Sequence, residues 1–297
     1  DDREIINFIS TKDYYDLDYD RLDINIEEED KYLYMIDNEG KAYYLNELTE
    51  KGTSRKPGEV DQDGNLEGKT LLNISFAGNE GTSINGLTDL SGNDIRLQLK
   101  NFNHNAKSGW TKEGLKFDGV NDYVLIPPKY MEYYKPEEQI TVAVRVHMSN
   151  WQSTARGKIA STTEYGGWAI SLNHPVHGER SSMSVIINTS GRDINYSTVS
   201  IKLSEINPGW HTFIFTYDGR FGNIYMDGEL YDILDEGEYR DIIYHPSNGM
   251  LIGAEVDENV SPVQGDYFNG IISNLAIYNR ALTPAEVQRL NQKINKQ

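Results

Sequence analysis

Hydrolysis of a glycosidic bond needs two carboxyl groups flanking the scissile bond, about 5–5.5 Å apart in the retaining case. Asp232, Asp235, Glu236 and Glu238 are close in the chain, but they come after a hairpin in a Gly-containing segment and read as a solvated loop. His174 and His177 stand three apart in Asn173-His-Pro-Val-His-Gly178. Zinc would need a third ligand and a helix or tight loop to bring them together, and Pro175 forbids a regular helix. They read as loop histidines able to touch a ligand. No Gly-x-Ser-x-Gly elbow occurs, so no serine–histidine triad can be argued. Sugar rings offer an apolar C–H face and a hydroxyl edge, so their sites pair an aromatic platform with Asn, Asp, Arg or His. Trp151, in Ser149-Asn-Trp-Gln-Ser153, is the platform candidate because its neighbours are polar. Arg156, Glu164 and Tyr165 lie on the next loops, and Tyr196 is a second exposed aromatic. Trp168 sits at a strand start and reads as core. The candidate ligand set is therefore Trp151, Arg156, Tyr165, His174, His177 and Tyr196.

Composition narrows the partners. The 297 residues carry a net charge of −18, which repels nucleic acid and anionic membrane surfaces. The hydrophobic share is 38%, and no apolar run approaches the ~20 residues of a membrane span. With no cysteines, disulfides, thiolate catalysis and Cys-ligated zinc are excluded. The 20 tyrosines against 8 phenylalanines suit a β-rich surface facing polar ligands. The chain opens on Asp1-Asp2-Arg3 and reads as a fragment of a larger protein.

The elements that must position these residues are strands. Asn207 to Tyr231 reads strand, turn, strand, turn, strand. In the first, Trp210, Thr212, Ile214 and Thr216 share one face, and His211, Phe213, Phe215 and Tyr217 the other. Both faces carry bulk. Asp227-Gly228 is the pair that a two-residue type I′ turn wants. Ile140 to Met148 alternates between Ile140, Val142, Val144 and Val146 on one face and Thr141, Ala143, Arg145 and His147 on a more polar one. Further strands read at 71–76, 115–126, 158–161, 168–172, 183–188, 197–203, 250–253 and 270–278. Thr283, Pro284 and Glu286 form the N-cap, N1 and N3 of a short helix with a capping box. Residues 1–64 differ in character. They hold an acidic run, Asp13 to Asp30, and a hairpin pattern over Lys31–Leu45, and read as a small β-rich connector. Lys51 to Gly68 reads as a linker.

Three segments carry a family resemblance. Trp210-His, the alternating strand, Tyr217-Asp-Gly, then Ile224-Tyr-Met-Asp-Gly resembles the central signature of laminin-G-like domains of the concanavalin A-like lectin/glucanase superfamily. Gly114 to Pro127 resembles the family's early strand, and Tyr267 to Val287 its closing strand and terminal helix. The resemblance implies an all-β fold: a two-sheet antiparallel jelly-roll sandwich over residues 65–297, with the connector at 1–64 and a short C-terminal helix. Trp210 belongs to the signature and reads as structural. The Glu-x-Asp-x-x-Glu pattern of the superfamily's laminarinase-like members occurs on no strand, which points away from an enzyme.

The resemblance also implies one Ca2+. Its candidate ligands are Asp89, the Gly119 carbonyl and Asn121, with Ser273 standing where the family's closing strand usually holds Asp; a neutral hydroxyl is the poorer ligand. The reading is a non-catalytic, lectin-like module of a bacterial cell-surface or phage tail protein, extracellular or on a virion, recognising a surface glycan. A structural or assembly domain contacting other chains is the alternative, and a glycoside hydrolase the less favoured third.

Overall fold

Side-chain alternation decides how the strands stack. On the strand Ile140–Met148 the residues Ile140, Val142, Val144 and Val146 are fully buried, and on Gly209–Tyr217 so are Phe213, Phe215 and Tyr217. The two strands are antiparallel neighbours with Phe213 opposite Val144, so both sets fall on one face, which becomes the core side of a sheet.

The computed structural model describes residues 34–36, 42–44, 70–78, 87, 89–151, 156–163, 166–173, 181–191, 196–245 and 249–296. The chain divides into Asp1–Glu59 and Val60–Gln297. In the first unit β1 (Tyr34–Ile36) and β2 (Ala42–Tyr44) pair antiparallel, with Tyr34 opposite Tyr44. The turn expected between them, the acidic run and the linker at 51–68 lie outside the described residues.

The second unit runs β3 (Thr70–Ser75), β4 (Gln98–Lys100), β5 (Gly109–Thr111), β6 (Gly114–Asp118), β7 (Tyr123–Ile126), β8 (Ile140–Met148), β9 (Gly157–Ser161), β10 (Trp168–Leu172) and β11 (Ser182–Ile187). Then come β12 (Ser197–Lys202), β13 (Gly209–Tyr217), β14 (Phe221–Met226), β15 (Glu229–Asp235), β16 (Met250–Ile252), β17 (Asn269–Tyr278) and the helix α1 (Pro284–Ile294). One sheet has the order β12-β11-β10-β9-β16-β7-β4. The other has the order β15-β14-β13-β8-β17-β6-β5, with β3 also paired to β17. Together they form the antiparallel jelly-roll sandwich. Trp168, Phe117, Phe268, Phe213 and Phe215 fill the space between them, each stabilising the fold by roughly 1.5–3 kcal/mol through burial.

Two local features of the eight-stranded sheet bear on the site. Asp227 and Gly228 have φ of +54° and +91°, the left-handed pair of a type I′ turn, and join β14 to β15. On β17 both Ile272 and Leu275 point into the core, which strict alternation forbids at a spacing of three. A register shift between Ile272 and Asn274 resolves it: Ser273 is the extra residue of a β-bulge. The β5–β6 turn lies against this bulge so closely that a Cβ on Gly114 would collide with the Ile272 carbonyl.

The acidic residues after the hairpin depart from expectation. Asp232 and Asp235 lie on β15 rather than in a loop, and Glu236 is buried beside Arg240 and Thr189. The strand runs on because Leu230 and Leu234 continue an inward face.

Candidate functional site

The core-distal face of the eight-stranded sheet is divided in two. Over one half lies α1. The Thr283 hydroxyl accepts from Glu286 N–H (3.3 Å), while Glu286 Oε2 accepts from Thr283 N–H (2.8 Å), so the capping box starts the helix as its sequence demands. The Arg280 guanidinium holds both Glu286 oxygens at 2.8 and 2.7 Å. Val287, Leu290 and Ile294 are buried on the helix, and Ala143, Ile214 and Ala276 on the sheet's outer face. Thr141 Oγ1 donates to the Arg280 carbonyl (2.7 Å), and Gln288 Nε2 donates to the Gly228 carbonyl (2.8 Å).

The other half is a shallow cleft. Its first hollow, about 280 Å³, is lined by Ala77, Lys112, Glu113, Arg145, Trp210 and Ser273, with Asn295 and Lys296 from the helix end. A second hollow of about 350 Å³ shares Ala77 and Lys112 and extends the groove to Ser75, Gly78 and Leu90. Leu90 is 62% exposed.

Each side chain is placed by a different element. Arg145 on β8 stands opposite Thr212 on β13 and Asn274 on β17. Its guanidinium lies over the Trp210 ring at 4.6 Å, a cation–π contact. His147 also neighbours the indole, its ring tilted by 57° and its centroid 5.3 Å from that of Trp210. Arg145 Nε donates to Asn295 Oδ1 (3.1 Å), and that oxygen also accepts from Thr212 Oγ1 (3.1 Å). The end of α1 therefore buttresses the arginine. Burial pulls Arg145 below the ordinary arginine value, and the charges of Glu113 and Asp227 oppose that pull; it remains a cation at any physiological pH. Lys112 and Glu113 project from the β5–β6 turn, which Thr111 Oγ1 closes by donating to the Gly114 carbonyl (2.9 Å) and accepting from Gly114 N–H (3.1 Å).

This lining suits binding. Among the described residues it contains one carboxylate, Glu113, where glycoside hydrolysis asks for two. Of its hydroxyls, that of Ser273 is buried and donates to Asn274 Oδ1 (2.7 Å). What the cleft offers is a half-buried indole, cations, an amide and a separate apolar end.

Of the sequence-derived ligand set, the three described members do not come together. Trp151 is only 1% exposed. Its polar neighbours suggested a surface platform, but the ring is wedged edge-on between Phe213 (5.4 Å) and His211 (5.8 Å), residues some sixty positions later. Arg156 is exposed just before β9, at Trp151's end of the sandwich. Tyr196 is at the opposite end, its hydroxyl accepting from Gly166 N–H at 3.1 Å. Tyr165, His174 and His177 lie outside the described residues. Trp168 is core, as expected. Trp210, read as structural, also lines the cleft. The alternation that set Trp210 and Arg145 opposite the core faces of β13 and β8 was the available signal. Lys296 and Asn295 left none, because only tertiary packing brings the helix end to the sheet.

The four calcium candidates are likewise dispersed. Asp89 Oδ1 is occupied as a loop clasp, accepting from Asn73 N–H (2.8 Å) and Ser91 N–H (3.0 Å). Gly119 and Asn121 sit in the β6–β7 turn, where the Asn121 carbonyl accepts from Asn101 Nδ2 (2.9 Å). Asn73 pairs with Ala276 of β17 and Asp118 with Asn269, which separates the two groups by on the order of 20 Å along the strand. Ser273 is buried between them. These residues do not fit one coordination shell, and no group of three or more His, Asp or Glu able to hold a metal occurs among the described residues.

A family model for the concanavalin A-like lectin/glucanases superfamily matches residues 118–288, more than half of the chain. The chain belongs to that superfamily. The match spans β6 to α1 and so includes Arg145, Trp210 and Ser273 of the cleft. Among solved structures, this superfamily member shares its fold with the receptor-binding domain of botulinum neurotoxin mosaic serotype C/D (TM-score 0.55, 15% identity, covering 76% of this chain and 51% of that one). A botulinum neurotoxin serotype D ligand-binding domain in complex with N-acetylneuraminic acid gives a TM-score of 0.52 at 13% identity, covering 76% and 51%. A botulinum neurotoxin DC binding domain in complex with rat synaptotagmin II gives 0.52 at 13%, covering 76% and 52%. The chain thus spans about half the length of these domains. Comparison with curated proteins finds no match.

Proposed function

We propose that the chain is a non-catalytic glycan-recognition module and that the Trp210 cleft is its binding site. The observation that carries this reading is the half-buried indole with a guanidinium stacked on it, ringed by amide and ammonium donors. That arrangement meets both faces of a sugar: the ring's C–H side on the indole and its hydroxyls on the donors. Two further observations support a binding role: the fold is shared with domains in complex with N-acetylneuraminic acid and synaptotagmin II, and the described lining of the cleft holds a single carboxylate. We place the module in an extracellular bacterial cell-surface or phage tail protein. The acidic, cysteine-free sequence supports that setting.

The test is a glycan-array screen of the whole chain against its Trp210→Ala variant, with and without chelator. Binding to a defined glycan class should weaken about 30-fold in the variant, roughly 2 kcal/mol for a central aromatic anchor. Chelator should change nothing, because the described lining of the cleft has one carboxylate. Retained binding in Trp210→Ala would move the site elsewhere, and loss of binding with chelator would restore calcium.

A second reading, assembly through protein contacts, has its own observation. Tyr231 and Ile233, 41% and 37% exposed, stand two apart on the edge strand β15, where exposed apolar side chains mark contact surfaces. A Tyr231→Ser/Ile233→Ser variant that dissociates an oligomer seen by light scattering would favour it; an unchanged monomer would remove it.

A further inference from the structure

We infer that the ligand of the cleft is an acidic glycan, a sugar ring bearing a carboxylate. This rests on the glycan-recognition reading and specifies its ligand class. The chain carries 46 acidic against 28 basic residues, yet the first hollow reverses the balance, with Lys112, Arg145 and Lys296 against Glu113 alone. Among the described residues none of those three cations has a carboxylate within 4 Å. Three other arginines of the chain are paired closely: Arg220 with Asp235, Arg240 with Glu238, Arg280 with Glu286.

The geometry of Arg145 is the sharper sign. Its Nε is engaged by Asn295 and its plane by Trp210. Its two terminal nitrogens have no acceptor among the described residues. A guanidinium fixed in this way keeps its fork for an incoming planar anion, which carboxylate matches bidentately. Because Arg145 is partly withdrawn from water, its attraction is screened less than that of a free surface charge. Lys112 and Lys296 flank it as mobile point charges. A sugar stacked on the Trp210 ring would carry its carboxylate beside Arg145, since the two are 4.6 Å apart.

The experiment is calorimetry of the whole chain with galacturonate oligosaccharides and 3′-sialyllactose, each beside its carboxyl-reduced counterpart, and with a sulfated oligosaccharide. The ratio of acidic to neutral affinity is the readout. It should be at least tenfold for the wild type, fall towards one in Arg145→Gln, and fall about threefold in each of Lys112→Gln and Lys296→Gln, exposed positions whose change leaves the fold intact. Lys129→Gln, an exposed lysine outside the cleft, should leave the ratio unmoved and so separate local from net charge. Equal binding of acidic and reduced sugars, or a ratio indifferent to all three cleft variants, overturns the acidic assignment while the glycan reading stands. Preference for the sulfated sugar over both carboxylates also overturns it. Binding of no sugar at all overturns both.

Discussion

The outer face of β8 and β13 is built by one alternation but has two fates. Thr141, Ala143, Thr212 and Ile214 are buried beneath α1, whereas Arg145, His147 and Trp210, one or two pleats further on, remain half exposed. Nothing in the strands marks the border. It falls where the helix ends, and Asn295 stands on it, accepting from Thr212 on the covered side and Arg145 on the open side. Sheet chemistry gives a face its side chains; the cover laid over it decides which serve stability and which serve binding.

Substitutions can break that division. The largest effect should come from the covered half. Ile214→Ala, at a position 0% exposed, should cost about 2–5 kcal/mol, read as a lowered denaturant midpoint with glycan affinity of the folded protein kept. On the open half, Trp210→Ala should reverse the pattern, with glycan affinity lost and a stability change under about 1 kcal/mol. Thr283→Ala removes the cap that starts α1 and should cost about 1 kcal/mol. Since α1 delivers Asn295 to Arg145, it should also weaken acidic-sugar binding a few-fold, the one case in which both halves respond together.

The smallest effect is a pH dependence beside the covered half. His211 Nδ1 is 2.6 Å from Asp227 Oδ2, and Nε2 is 2.8 Å from the Asn207 carbonyl. Both partners only accept, so both nitrogens must donate and the imidazolium is the form that fits. The hydrogen bond that His211 donates to Asp227 raises His211 above its ordinary 6.5; burial opposes this and the Asn207 carbonyl supports it. A raised folded pKa gives stability that is fully present below the unfolded value and is lost as pH rises through the folded one. Burial pushes Asp227 up, but the His211 and Thr212 hydrogen bonds and the His211 and Arg145 charges outweigh it, leaving the carboxyl below 3.8. Its contribution is present above that ordinary value and is lost as pH falls through the depressed one. Urea midpoints should therefore decline from pH 6 upward, and the slope should flatten in His211→Gln. An identical slope in that variant would remove the pair as its cause.

Range decided which features were legible in the sequence. The bounds of β8 and the Thr283–Pro284–Glu286 cap could be read because each rests on residues within a turn or a pleat of one another. The Asp227-Gly228 turn was readable for the same reason. Trp151 was misjudged because its burial is imposed by Phe213 and His211, whereas the side of the sheet that Trp210 faces could be read from the alternation of β13 and only the cleft around it could not. The bulge at Ser273 leaves no local mark. It shows only when Ile272 and Leu275 are both required to enter one core. The candidate site was the least legible part, since its lining is drawn from β5–β6, β8, β13, β17 and the end of α1.

The position of β17 also governs how the molecule can be made. It lies between β8 on one side and β6 and β3 on the other, and its Ala276 pairs with Asn73, so a central strand of the sheet is the last of the sandwich's strands in chain order. Until it arrives, β8 and β3 have no common neighbour, and the edge of β8 that will receive it stays open to other chains. Closure across so much sequence is slow, on the order of milliseconds to seconds for β topologies of this kind, and cannot be completed while the C-terminal segment is still inside a ribosome. Expression at high concentration should therefore favour aggregation over folding, with relief from lower temperature or slower synthesis.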